Sequence, residues 1–197
     1  MRARENPFRV ERLHALAFRF EDGGDLDDLL RRLRQHGGRG AIVGPRGSGK
    51  STLLEQLGRR FRAEGLDVRT LRVGAGQTSL TAAERADLCD RAGPTTAILF
   101  DGAGHLRSQQ WRQIEEQARD AEWFVITAHR RGRMRTALRT STSAELLRDL
   151  AGTLGYSLAP DDASALFRQH RGNLRDALRA LYDRCAGRDG VTSPDLR

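Results

Sequence analysis

The chain has 197 residues, a hydrophobic fraction of 38% and a charged fraction of 30%, which describes one globular domain with room for a small appended subdomain. No apolar run approaches the ~20 residues that span a bilayer, and the N-terminus carries no apolar signal segment, so no membrane-spanning helix is expected and the cytoplasm is the expected compartment. The net charge of +8 invites a nucleic-acid partner, but of the 34 basic residues one is Lys50 and all others are Arg, spread along the chain and often beside acids. Much of that charge reads as solvated helix surface, and nucleic-acid contact stays open.

Taken in chain order, residues 1–24 form a lead-in segment with apolar positions Phe8, Val10, Leu13, Leu16, Phe18 and Phe20, placed to pack beside a nucleotide base. A helix is predicted over 25–36, with Asp25 as N-cap, Leu26, Leu29, Leu30 and Leu33 on one face, and Gly37-Gly38 as its stop. A short strand over 40–43 leads into a Gly-rich loop and a helix over 50–64, whose Leu53, Leu54, Leu57 and Phe61 keep a helical period. A second strand follows over 67–73. Thr81 and Glu84 have the spacing of a capping box, opening a helix to about 92. The run over 96–100 is continuously apolar, as strands buried on both faces of a parallel sheet are.

A helix over 108–121, with Trp111, Ile114, Ala118 and Ala121 on one stripe, precedes another buried strand over 123–127. After an Arg-rich connection at 130–135, a fifth, edge strand is predicted over 136–140. Thr142 and Glu145 are read as a second capping box, starting a helix to about 154; helices over 161–170 and 173–186 and a loose tail complete the chain. The fold class is therefore α/β: a doubly wound, mainly parallel five-stranded sheet with helices on both faces and a small C-terminal helical lid. The divisions are 1–24 lead-in, 25–141 core, 142–187 lid and 188–197 tail. Cys89 and Cys185 lie far apart without CxxC or Cys/His neighbours, so they read as incidental thiols.

The chemistry begins at Gly44, Pro45, Arg46, Gly47, Ser48, Gly49, Lys50 and Ser51, which fit G-x-x-x-x-G-K-[ST] in full, with Thr52 completing the helix entry. Glycines let the backbone curl so that N–H groups converge on phosphate oxygens, and the following helix offers its unpaired N-terminal N–H groups to the same anion. Lys50 is expected to reach the β- and γ-phosphates and Ser51 to sit on Mg²⁺. That the one lysine of the chain stands here fits a site for a compact ammonium. Asp101, ending the apolar third strand, either binds Mg²⁺ through water, as the natural second motif, or is an acid that merely ends a strand. ATPases of this kind usually carry Glu next; here position 102 is Gly, so hydrolysis is expected to be slow or to need a residue from elsewhere. His105 either orients a water or is structural. Thr127, ending the later strand, either contacts the γ-phosphate or its water, or caps the strand.

These motifs resemble the AAA+ ATPases, of the additional-strand P-loop class, over about 25–186. The resemblance rests on residues 44–51, Asp101, Thr127 and Gly172-Asn-Leu-Arg175-Asp-Ala-Leu178, which is similar to the lid helix of clamp-loader and origin-recognition members. It implies that Arg175 reaches the γ-phosphate, and that Arg133 or Arg135 lies where such families place an arginine acting on a neighbouring subunit; Arg130 and Arg131 share that loop. The only lysine is Lys50, so the guanine-reading N/T-K-x-D motif does not occur, and no LSGGQ-like signature is present; ATP is the expected nucleotide. Three functions stay in play: an AAA+-like ATPase or ATP-dependent switch acting as a homo-oligomer or on a protein or nucleic-acid partner, a non-hydrolysing ATP-binding scaffold, and a small-molecule kinase.

Overall fold

The computed structural model describes residues 6–8, 12–13, 16–20 and 23–187. Val10 and the expected tail 188–197 lie outside the described residues. The chain divides into two units. One takes in Phe18–Gly44 and Gly49–Thr140; the other holds the described residues up to Ala17, the short stretch Pro45–Ser48 and the chain from Ser141.

The first unit is the sheet. In chain order it runs α1 (Leu26–Gln35), β1 (Arg39–Val43), α2 (Lys50–Ala63), β2 (Asp67–Arg72), α3 (Ala82–Cys89), β3 (Thr96–Asp101), a 3₁₀ turn (Ala103–His105), α4 (Ser108–Gln117), β4 (Trp123–Ala128) and β5 (Thr136–Arg139). The five strands pair in parallel in the order β2-β3-β4-β1-β5. The strand ending in Asp101 is therefore separated from β1 by β4, and β5 is an edge strand as predicted. Parallel strands need crossovers, and here helices supply most of them, so both faces of the sheet are covered.

Alternation along the strands decides which face each residue serves. Ile42, Leu99, Trp123 and Val125 join Leu29, Leu30 and Leu33 of α1 and Leu53, Leu57 and Phe61 of α2 in one buried cluster. Ala41, Ile98, Phe100, Phe124 and Ile126 join Leu88 of α3 and Trp111 and Ile114 of α4 in the other. Phe61 stacks on Trp123 at 4.8 Å between ring centroids, and Trp111 stacks on Phe124 at 5.7 Å. Arg39 closes the far end of the second layer: its guanidinium donates to the Ala118 and Arg119 carbonyls at the end of α4 and lies over the Phe124 ring. Both capping devices of this unit form as paired side-chain and backbone bonds, Asp25 with Asp28 and Thr81 with Glu84. The helix after Thr81 ends at Cys89, earlier than expected, and α4 stops at Gln117 rather than continuing to 121.

The second unit is helical: α5 (Ala144–Thr153), α6 (Pro160–Gln169) and α7 (Leu174–Gly187). Leu147, Ala151, Leu166, Leu174, Ala177 and Leu181 form its buried core, with Phe8 fully buried among them and edge-on to Tyr156. Asn6, itself buried, donates to the Tyr182 carbonyl and accepts from the Phe8 N–H. Part of the lead-in thus belongs to this helical core, whereas Phe18 and Phe20 pack against the sheet cluster. One capping assignment is corrected. The N-cap of α5 is Ser143, whose extended backbone lets its hydroxyl accept from the Leu146 N–H at 3.0 Å. The helix begins one residue later than Thr142 required, because Ser143 has the extended backbone (φ −143°, ψ 166°) that places its hydroxyl at the Leu146 N–H three residues on.

Candidate functional site

The site grows from the C-terminal ends of the central strands. β1 and β4 run in register to their ends, with Ile42 level with Thr127 and Val43 level with Ala128; β3 lies on the far side of β4, with Phe100 level with Ile126. The chain leaving β1 turns through Gly44 and re-enters helix at Gly49, which is the N-cap of α2 in the left-handed region (φ 79°). A glycine is needed there for that backbone, and it offers no side chain to cap the helix. The first N–H groups of a 14-residue helix therefore carry no side-chain cap. Lys50, only 7% exposed, bends its ammonium back to donate to the Gly44 carbonyl at 2.9 Å. A buried ammonium has to be hydrogen-bonded or face an anion. His129, just past β4, has Nδ1 3.3 Å from the same carbonyl, and its ring meets that of His105 edge-on at 5.8 Å. Ser51 and Thr52 follow on the first turn of α2, both half-buried.

Asp101 ends β3 on the same face as α2, since Ala97 and Leu99 belong to the α2 cluster and the strand alternates. Thr127 is on that face by the same parity from Trp123 and Val125. Their side chains meet: the Thr127 hydroxyl donates to Asp101 Oδ1 at 2.5 Å and accepts from the Gly102 N–H at 2.9 Å. A hydroxyl has one hydrogen, and here it is committed to Asp101. Thr127 in this arrangement holds the carboxylate. Asp101 Oδ2 accepts from Arg72 Nε at 2.9 Å, and the Arg72 guanidinium also reaches Glu55 Oε1 at 3.1 Å. Neither Arg72 nor Glu55 was legible as a site residue. The available signal was register: Arg72 is the direct cross-strand partner of Asp101, and Glu55 stands one helical turn beyond Ser51.

Gly102 explains why no acid follows Asp101. Its backbone is left-handed (φ +89°), and a Cβ there would lie 2.3 Å from the Val73 carbonyl oxygen. A glutamate at this position is excluded by the local backbone as well as missing from the sequence.

The remaining predicted residues lie as follows. Pro45, Arg46, Gly47 and Ser48 cluster with the helical unit; Ser48 is buried and donates to the Pro45 carbonyl at 2.9 Å, Arg46 is exposed, and the Asn173 side chain lies against Gly47. Asn173 also bonds the Asp176 carboxylate and accepts from the Arg175 N–H, so it organises the first turn of α7, on which Arg175 is exposed. In the Arg-rich loop, Arg133 donates to the Leu106 carbonyl and lies over the Trp111 ring, so it is held on its own sheet unit. Arg130, Arg131 and Arg135 are exposed. Burial pushes the Cys89 thiol up to about 11. Among the described residues, no helix is long and apolar enough to cross a membrane. No protein-family model matches the chain, and no curated protein sequence matches it.

Proposed function

We propose that this chain is an Mg-ATP-binding protein of the AAA+-like kind, an ATPase or ATP-dependent switch whose hydrolysis is slow or depends on a partner. One observation carries the reading: the Gly-rich turn, the uncapped N-terminus of α2 and the buried Lys50 stand at the end of β1, while a carboxylate held by Thr127 ends β3, two strands away across β4. The groups present suit the ligand. Uncapped helix N–H groups and a buried ammonium are donors for a polyphosphate, and a hydroxyl with a carboxylate is a hard-oxygen pair suited to Mg²⁺. Mg²⁺, held by Ser51 and Asp101, would supply positive charge that offsets the charge developing on the phosphates.

In this reading Lys50 exchanges the Gly44 carbonyl for phosphate oxygens, Ser51 and Asp101 hold the cation, and Thr127 keeps Asp101 oriented. By the resemblance alone, Arg175 is proposed to read the terminal phosphate; Asn173 organises the first turn of α7 on which it stands. Gly102 favours a second reading, a non-hydrolysing ATP-binding scaffold, because the backbone leaves no place for the acid that usually polarises water. Binding of a fluorescent ATP analogue to wild type and to Lys50→Ala tests the core of the proposal. Loss of binding in the variant is expected, and equal affinity would remove the phosphate-loop assignment. Turnover per chain measured against protein concentration, with and without DNA, then separates the two readings.

A further inference from the structure

The Asp101 carboxylate is engaged on both oxygens, by Thr127 on one and by Arg72 on the other. The Arg72 bond comes from the fold itself. β2 and β3 pair in parallel with Arg72 level with Asp101, and both side chains fall on the α2 face of the sheet. From that face Glu55 of α2, one turn beyond Ser51, takes the other arm of the guanidinium. Three charged groups thus stand in a row, Glu55, Arg72 and Asp101, with a net charge of −1, beside the helix that carries Ser51.

We infer that Arg72 is a positioning residue for Asp101, a tethered cation shared with Glu55 that sets the Mg²⁺ concentration at which the carboxylate takes up the metal; this rests on the Mg-ATP reading above. The physical reason is direct. A fixed positive charge about one hydrogen bond from a carboxylate weakens the attraction of that carboxylate for a second cation, and it also limits the orientations the carboxylate can adopt. Sharing with Glu55 moderates the effect, because the second carboxylate draws the guanidinium partly away. Arg72 is 64% exposed, so solvent screens the interaction and the effect is a tuning rather than a block. The charge arithmetic fixes the signs. Removing Arg72 leaves two acids and a row of −2, which should draw Mg²⁺ more strongly; neutralising Glu55 leaves a row of 0, which should draw it less.

The test is the Mg²⁺ dependence of nucleotide binding, read as the half-saturating MgCl₂ concentration for a fluorescent ATP analogue, alongside its affinity in EDTA. Arg72→Ala should lower the half-saturating Mg²⁺ about fivefold, and Glu55→Gln should raise it by about two- to threefold. Arg72→Lys, which keeps the charge, should stay near wild type. High salt should compress both differences. Equal half-saturating concentrations in wild type and Arg72→Ala would overturn the inference, as would a rise in Arg72→Ala, which is the result of a merely structural ion pair whose loss disorders Asp101. Mg²⁺-dependent binding by wild type with no shift in the variants would overturn the Arg72 role alone. Absence of nucleotide binding by wild type would overturn the Mg-ATP reading with it.

Discussion

Placing an acid beside Asp101 by Gly102→Glu should destabilise the sheet unit, and the structure sets the size of the effect. The left-handed backbone at 102 costs a non-glycine residue about 1–2 kcal/mol. The added Cβ would also sit 2.3 Å from the Val73 carbonyl oxygen, a backbone atom that cannot rotate aside. Relieving that contact means parting the ends of β2 and β3, where the Val73 N–H donates to the Asp101 carbonyl at 2.8 Å, and losing such a bond costs about 1 kcal/mol net. The total is about 2–3 kcal/mol, which for a chain of this size lowers the melting midpoint by roughly 4–12 °C. The assay can be confined to the right unit, because the chain has two tryptophans and both, Trp111 and Trp123, are buried in the sheet unit. Their fluorescence followed through urea or heat reports that unit alone. Gly102→Ala should fall nearly as far as Gly102→Glu, since the penalty lies in the Cβ and the backbone, and neither should turn over ATP faster than wild type. A Gly102→Glu protein with wild-type stability and accelerated turnover would refute the reasoning.

Other expectations rest on single features. Phe61→Ala removes a fully buried ring stacked on Trp123 and should cost about 3–5 kcal/mol in the same fluorescence-detected unfolding. Ser143→Ala should weaken the start of α5 by about 1 kcal/mol, seen as faster amide exchange at Leu146 and Leu147, while Thr142→Ala should leave those amides unchanged. Cys89, with its thiol pushed up to about 11 by burial, should resist alkylation at pH 8 until the sheet unit unfolds; rapid modification of the native protein would contradict its burial.

Local pattern was enough for much of this protein. Apolar continuity marked 96–100 and 123–127 as strands buried on both faces, and Phe100 and Phe124 indeed serve one layer while Leu99 and Val125 serve the other. The caps at Asp25 and Thr81 were readable because each is a contact between residues three apart, so the sequence carries both halves of the bond. At Thr142 the same logic misled by one residue: Thr142 has the glutamate three residues on and Ser143 has Leu146 there, yet the backbone geometry makes Ser143 the cap.

What the sequence by itself determined is therefore local: the order of strands and helices, the glycines and lysine of the turn after β1, and the carboxylate at the end of β3. The tertiary structure alone decided the lateral relations. Strand order placed β4 between β1 and β3 and so brought the Thr127 hydroxyl to Asp101. Register set Arg72 level with Asp101, and helix packing brought Glu55 to Arg72. The approach of the Val73 carbonyl made Gly102 obligatory. The physical reason is common to all four: periodicity records which face a residue serves, whereas the neighbour it meets on that face is chosen by hydrogen bonds between segments distant in the chain.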